Sequence, residues 1–265
     1  MPDLIVPTLD ISDVSVYYGH KCAVENVSFN AHSGHIYAII GNNGCGKTSL
    51  MKAVMNLTGH NGICRLNGKT LEKMSVKKRA RLISYIPQKT GINISMTVRE
   101  VCLLGFNPHL RIFESYSSNM RQQVDKAIDS VGLAGLYNTD FLTLSEGQKQ
   151  LCILARTLIE DTPLLLLDEP DSSLDFSNKY RLMKKIKALI NSETAALICI
   201  HDPALALNFC DRIILMKNGH LAGEIRPATS TLEEINSKMS IIFDDIFISQ
   251  CTDNDNKEHL CIMMR

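Results

Sequence analysis

Apolar positions along this chain change period several times, and each change marks an element. Near the start, Val14 and Val16, and then the stretch around Val24 and Val27, alternate with polar neighbours as half-buried strands do. Ile36 to Ile40 is an apolar strand, and Leu164 to Leu167 is an unbroken apolar run. Such a run predicts a central parallel strand buried on both faces. Further strands are expected near Ile83, over Leu197 to Ile200 and over Ile213 to Met216. From about Lys89 to Thr162 the period turns helical. Thr97 with Glu100 is a capping box opening a helix over Val98 to Leu104. Met120, Val124, Ala127, Ile128 and Val131 recur at helical spacing before Gly132, a plausible C-cap. Lys217-Asn218-Gly219-His220 predicts a hairpin, with Asn-Gly supplying the positive φ angles of a type I′ turn. From Arg226 the pattern is hardest to read.

Three motifs stand on this frame. Gly41 to Ser49 follows the strand at Ile36 to Ile40 and opens a helix near Lys47. Gly41, Gly44 and Gly46 lack Cβ atoms, so the loop can turn sharply and aim backbone N–H groups at phosphate oxygens. Asn42, Asn43 and Cys45 complete that cradle at a helix N-terminus, where unpaired N–H groups favour anions. Lys47 supplies charge for the β- and γ-phosphates, and Thr48 a hydroxyl for Mg²⁺. Asp168 and Glu169 end the strand of Leu164 to Leu167, where open α/β sheets bind ligands. Asp168 is the candidate Mg²⁺ holder and Glu169 the candidate general base. Third comes Leu144 to Gln148, in which Ser145 and Gln148 form a capping box. The helix behind it carries Leu151, Leu154, Ala155, Leu158 and Ile159 on one face.

In this order the motifs resemble the ATP-binding-cassette (ABC) family, and the resemblance runs from about Ile11 to Ile225. It implies an α/β P-loop NTPase fold of ABC type: a mixed sheet core, an N-terminal antiparallel β part and an inserted helical subdomain. The implied ATPase domain spans residues 8–228, with the subdomain at about 89–162 and a C-terminal tail over 229–265. Ser145, Glu146, Gly147 and Gln148 then match the signature motif that touches ATP held by the opposing subunit. The family most often has Gly where this chain has Glu146. That charge in the first turn would repel a γ-phosphate, so the side chain is expected to turn away and pair with Lys149, three residues on. The resemblance also makes Gln88 a loop glutamine touching Mg²⁺ and water, His201 a γ-phosphate switch, and Ser173, Leu174 and Asp175 a dimer-contact loop. Tyr18 fits the aromatic that stacks on adenine, with Tyr17 the alternative, since strand alternation points the two to opposite faces.

Composition narrows the class. A chain of 265 residues that is 45% apolar buries a large core. Lys plus Arg and Asp plus Glu number 28 each, so no global basic field draws it to nucleic acid. Nine scattered cysteines without a Cys-x-x-Cys read as reduced cytosolic thiols. Cys45 sits beside Lys47 and a helix N-terminus, both favouring a thiolate; the alternative is a small residue filling a tight loop. No secretory leader and no apolar run of roughly 20 residues is visible, so membrane-spanning chains would have to be separate.

The single short cassette, Tyr85-Ile86-Pro87-Gln88, the stretch Gly105 to His109 and the tail ending Cys261 to Arg265 resemble the ATPases of iron-chelate importers. The implied assembly is a head-to-tail dimer closing on two ATP, with Mg²⁺ as cofactor. Two permease subunits would hold it at the cytoplasmic face of the membrane, and an extracytoplasmic binding protein would deliver a ferric siderophore, haem or cobalamin. The alternatives are an ABC transporter of another cargo, a soluble ABC ATPase acting on nucleic acid or ribosomes, and a weakly catalytic regulator. The long coiled-coil insertion or second cassette usual in the soluble class is absent from this sequence.

Overall fold

The chain begins with a hairpin of β1 (Leu9–Tyr18) and β2 (Lys21–Ala31), then enters the interior through β3 (Ile36–Ile40) and leaves it by α1 (Lys47–Val54). Next come β4 (Asn61–Leu66), β5 (Lys69–Thr70), α2 (Val76–Arg79) and β6 (Ile83–Ile86). Three helices follow: α3 (Val98–Leu103), α4 (Ser118–Ser130) and α5 (Glu146–Glu160). The chain then returns to the sheet through β7 (Leu164–Asp168), α6 (Phe176–Leu189), β8 (Ala195–Cys199), α7 (Pro203–Phe209), β9 (Arg212–Lys217) and β10 (His220–Ile225). It finishes with α8 (Leu232–Met239), β11 (Ile246–Thr252) and β12 (Glu258–Met264). This computed structural model describes residues 8–88, 91–111, 113–172, 174–252 and 258–264.

Two larger sheets result. One is antiparallel in the order β2-β1-β4-β5, and the other runs β10-β9-β3-β8-β7-β6. In the second, β9, β3, β8, β7 and β6 are parallel, and β10 joins antiparallel at the edge. The apolar runs divide by strand alternation between two cores. Tyr37, Ile39, Leu164, Leu166, Leu197 and Cys199 face the antiparallel sheet and α1. Ile36, Ala38, Ile40, Leu165, Leu167, Ile198 and Ile200 face the helices. A strand between two apolar layers has no polar face, which explains the unbroken runs.

The expected helices form with their caps. Thr97 and Glu100 make the capping box of α3, and Gly132 follows the C-cap of α4 with φ 83°. Two expectations shift. The strand placed at Leu197 to Ile200 starts earlier, at Ala195, because Ala195 and Ala196 pair with β7. The buried side of α5 is Gln150, Cys152, Ile153, Leu154, Ala155 and Thr157, while Leu151, Leu158 and Ile159 are only partly covered. The buried stripe is therefore rotated from the one read in the sequence, since α5 packs against α3, α4 and β6 together.

The C-terminal segment is folded onto the core. Ile235, Met239, Ile242 and Ile248 are buried in the helical-side core. Asn208 Nδ2 donates to Ala204 O at 2.8 Å and to Leu260 O at 2.9 Å, and the Leu260 N–H donates to Asn208 Oδ1 at 3.3 Å. Cys251 and Cys261 form a disulfide across the β11–β12 hairpin, which corrects the reading of all nine cysteines as reduced thiols. The two lie within bonding reach only because the hairpin pairs, a contact that spacing alone does not show. Among the described residues no helix is long and apolar enough to cross a membrane.

Asn208→Ala should leave partly buried backbone groups of α7 and β12 without a side-chain partner, at a cost of about 1–3 kcal/mol. Hydrogen exchange should then quicken at the Leu260 amide while the β3 amides stay protected. Equal protection at Leu260 in both proteins would show that Asn208 does not anchor the hairpin.

Candidate functional site

The loop between β3 and α1 is held in shape by contacts that leave its donors free. A Cβ on Gly41 would lie 2.2 Å from Met216 O, so the backbones can approach this closely only at glycine. Gly46 has φ 107°, and a Cβ there would meet Ala23 O at 2.3 Å. The Asn218-Gly219 turn, with φ of 51° and 85°, supports the loop from below: Gly219 N–H donates to Cys45 O at 3.1 Å. Gly46 precedes α1 and offers no side-chain cap. Each of the other seven α-helices among the described residues has one, from Ser75, Thr97, Ser117, Ser145, Asp175, Asp202 and Thr231. The first N–H groups of α1 therefore lack the side-chain partner found elsewhere in this fold, which suits an anion. Lys47 is buried, and its Nζ donates to Gly41 O at 2.9 Å and Asn42 O at 3.5 Å, folded back over the loop. Asn42, Asn43 and Gly44 are exposed at the rim.

Beside the loop, the ends of β6, β7 and β8 bring five polar side chains together. Thr48 Oγ1 donates to Asp168 Oδ1 at 3.1 Å, and the Tyr85 hydroxyl donates to Asp168 Oδ2 at 3.4 Å. Burial raises the Asp168 carboxyl above its ordinary value, Thr48 opposes the shift and neighbouring Glu169 adds to it. Glu169 has φ 52°, which breaks the extended run directly after Asp168. Its N–H donates to Cys199 O at 3.1 Å. The carboxylate is held from two sides: Gln88 Nε2 donates to Oε2 at 2.6 Å, and His201 Nε2 bonds Oε1. The structure thus brings Lys47, Thr48, Gln88, Asp168, Glu169 and His201 to one edge of the sheet. Tyr85, three residues before Gln88, is legible in the sequence only as the start of Tyr85-Ile86-Pro87-Gln88; its place against Asp168 follows from β6 pairing with β7.

Ser145 and Gln148 form the reciprocal cap of α5, with Gln148 N–H to Ser145 Oγ at 3.3 Å and Ser145 N–H to Gln148 Oε1 at 3.0 Å. Lys149 Nζ lies 2.8 Å from Glu146 Oε1, the pairing that the three-residue spacing predicts. Gly147 lies against Leu174, since a Cβ there would reach Leu174 Cδ2 at 3.6 Å. Asp175 caps α6, accepting from Asn178 N–H at 2.8 Å, and Ser173 lies outside the described residues. No hydrogen bond or ion pair among the described residues joins Ser145 to Gln148 with the phosphate loop of the same chain. Of the two tyrosines, Tyr18 borders α1: a hydrogen bond from Ser49 lowers its phenol, against the opposing effect of burial. Tyr17 lies against Cys22 instead.

Cys45 is the small loop-filling residue and not an activated thiol. It is buried, and desolvation raises its thiol despite the nearby Lys47. Its Sγ packs where a Cβ on Gly41 would be, 2.5 Å away. The sequence showed the cation and the helix end but not the burial that outweighs them.

Gly46→Ala should combine a left-handed backbone, costing about 1–3 kcal/mol, with a clash against Ala23. ATP affinity should fall at least tenfold, read by nucleotide fluorescence titration. Gly44→Ala meets no atom within 4 Å and should lose less. Equal affinities for the two variants would contradict this account of the loop.

Comparison with known proteins agrees with this geometry. The family described as ABC transporter matches residues 24–172. A cobalamin import ATP-binding protein of Halobacterium salinarum is 32% identical over 83% of this chain, which spans 56% of that relative's length. A hemin import ATP-binding protein of Rhizobium leguminosarum is 33% identical over 84% of this chain and 85% of its own. Among solved structures, an inward-facing ABC transporter assigned to the metal-chelate type superposes with a TM-score of 0.82 at 21% identity, covering 98% of this chain and 99% of that one. With an uncapped phosphate loop, an acidic strand end and a capped helix in the family's order, the chain belongs to the ABC transporter family and has its ATPase fold.

Proposed function

We propose that this chain is the ATP-binding and hydrolysing subunit of an importer of iron siderophores or related metal chelates. It works as a head-to-tail dimer under two membrane permease subunits, on the cytoplasmic face of the membrane. An extracytoplasmic binding protein delivers the cargo. The observation that carries the ATPase reading is the convergence of Lys47, Thr48, Gln88, Asp168, Glu169 and His201 beside the uncapped α1. The names of the cobalamin and hemin relatives support the cargo class.

The side chains divide the work as follows. Gly41 to Gly46, with the N–H groups of Lys47, Thr48 and Ser49, receive the phosphates, while Tyr18 stacks on adenine. Lys47 exchanges its loop carbonyls for phosphate oxygens, a gain in charge pairing. Thr48 and Asp168 are adjacent oxygen donors, and Gln88 is an amide ligand next to them, a set that fits Mg²⁺. Mg²⁺, when bound with ATP, neutralises phosphate charge. Glu169 takes a proton from the attacking water. Both its oxygens are engaged by Gln88 and His201, so it becomes a free base only when one of them turns to the nucleotide. His201 is suited to do so, since a γ-phosphate offers its ring a stronger anionic acceptor.

The second copy presents Ser145 to Gln148 at the γ-phosphate. Glu146 is restrained by Lys149, which keeps its charge off that anion. Leu174 and Asp175, with Ser173, form the dimer-contact loop; Asp175 is fixed by capping α6.

Glu169→Gln should bind Mg·ATP nearly as well as wild type yet hydrolyse it ~10² times more slowly or worse, the usual size of a lost base. It should also accumulate as an ATP-bound dimer by size-exclusion chromatography. Hydrolysis at the wild-type rate would remove Glu169 as the base. Importer function is read separately, by co-purification from membranes with a co-expressed permease and ATP-dependent uptake of a ferric chelate by vesicles containing both. Recovery with ribosomes or nucleic acid and no permease would favour the soluble reading.

A further inference from the structure

A second cluster of ligating side chains lies at the antiparallel sheet, among residues not assigned above to the nucleotide. His60 precedes β4, Cys64 lies within it, and Glu72 is in the short turn Leu71–Lys73 after β5. The ring, thiol and carboxylate ligand atoms all lie within 4.8 Å of one another. We propose that His60, Cys64 and Glu72 form a binding site for a divalent transition metal of the zinc class.

The His60 ring carries the argument. Its side chain is only 2% exposed, so water does not satisfy its nitrogens. Nδ1 lies 3.2 Å from Thr58 O, and a carbonyl only accepts, so Nδ1 carries hydrogen. A neutral ring then turns the Nε2 lone pair toward Glu72 Oε1 at 2.9 Å, where two acceptors face each other. A positive group has to lie between them: a proton or a metal ion. Metal-binding histidines are oriented by donating the ring N–H that faces away from the metal to a carbonyl, as Nδ1 does here to Thr58 O.

The remaining groups fit the metal. Glu72 Oε2 is buried without a hydrogen-bond partner, a free acceptor inside the cluster. Glu72 Oε1 accepts from the Cys64 N–H at 2.7 Å, which fixes the carboxylate beside the thiol. Cys64 is fully buried with its thiol inside this cluster, so a metal bound there would take the thiol proton's place. Imidazole nitrogen, thiolate sulfur and carboxylate oxygen are the zinc donor types, and three protein ligands leave one position for water. Tetrahedral bonds of about 2.0–2.3 Å set donors about 3.3–3.7 Å apart, so the widest pair would close up while His60 Nε2 and Glu72 Oε1, now 2.9 Å apart, would part slightly.

The test uses the untagged, nucleotide-free full chain titrated with Co²⁺ and then Zn²⁺. One Co²⁺ should bind with a thiolate-to-metal charge-transfer band in the near ultraviolet, and Zn²⁺ should abolish it with release of protons to the buffer. Cys64→Ser should lose the band, and His60→Gln and Glu72→Gln should each weaken Zn²⁺ binding at least tenfold with unchanged circular dichroism. If Cys64→Ser does not fold, the other two variants decide, and wild-type Zn²⁺ affinity in both overturns the proposal. A band of full intensity in folded Cys64→Ser overturns it too. So does a wild-type titration with no band, which would leave His60 and Glu72 sharing only a proton.

Discussion

The parallel sheet is apolar on both faces, and this constraint decides where chemistry can happen. Residues of β3, β7 and β8 alternate between two cores and leave no strand face for a polar group. Ionisable side chains therefore collect where the strands end. The phosphate loop follows β3, Asp168 closes β7, Glu169 comes next, His201 lies just past β8, and Gln88 just past β6. Because these strands are parallel, their carboxyl ends share one edge. Segments far apart in the chain meet there because burial forbids them a place elsewhere.

Charges at such an edge are costly when unpaired. Lys47 rests on loop carbonyls, Asp168 on Thr48 and Tyr85, and Glu169 on Gln88 and His201. In the proposed function, a nucleotide received at this edge would exchange these partners rather than fill a gap. The exception is the first turn of α1, which has no side-chain cap. The same folding logic fixes Ser145 to Gln148, where a reciprocal cap and a Lys149–Glu146 ion pair hold the start of α5.

Much of this was legible in the sequence because it rests on local rules. Apolar runs gave the buried strands, and Thr97 with Glu100, Ser145 with Gln148 and Asn218-Gly219 gave caps and a turn whose geometry is set within four residues. The spacing of Glu146 and Lys149 gave their ion pair. Phosphate-loop glycines were readable because only glycine tolerates the backbone approach at Gly41 and the φ at Gly46.

What tertiary structure decided was burial and contact between distant segments. It buried Cys45 and so turned an apparently activated thiol into a filler. It rotated the buried face of α5, since several neighbours cover that helix at once. It paired Cys251 with Cys261, docked the C-terminal hairpin through Asn208 and set Tyr85 against Asp168. It also closed His60, Cys64 and Glu72 into one cluster. None of these follows from periodicity, because desolvation and long-range contact are properties of the packed chain: sequence spacing fixes which groups are neighbours along an element, and only the fold fixes which are excluded from water together.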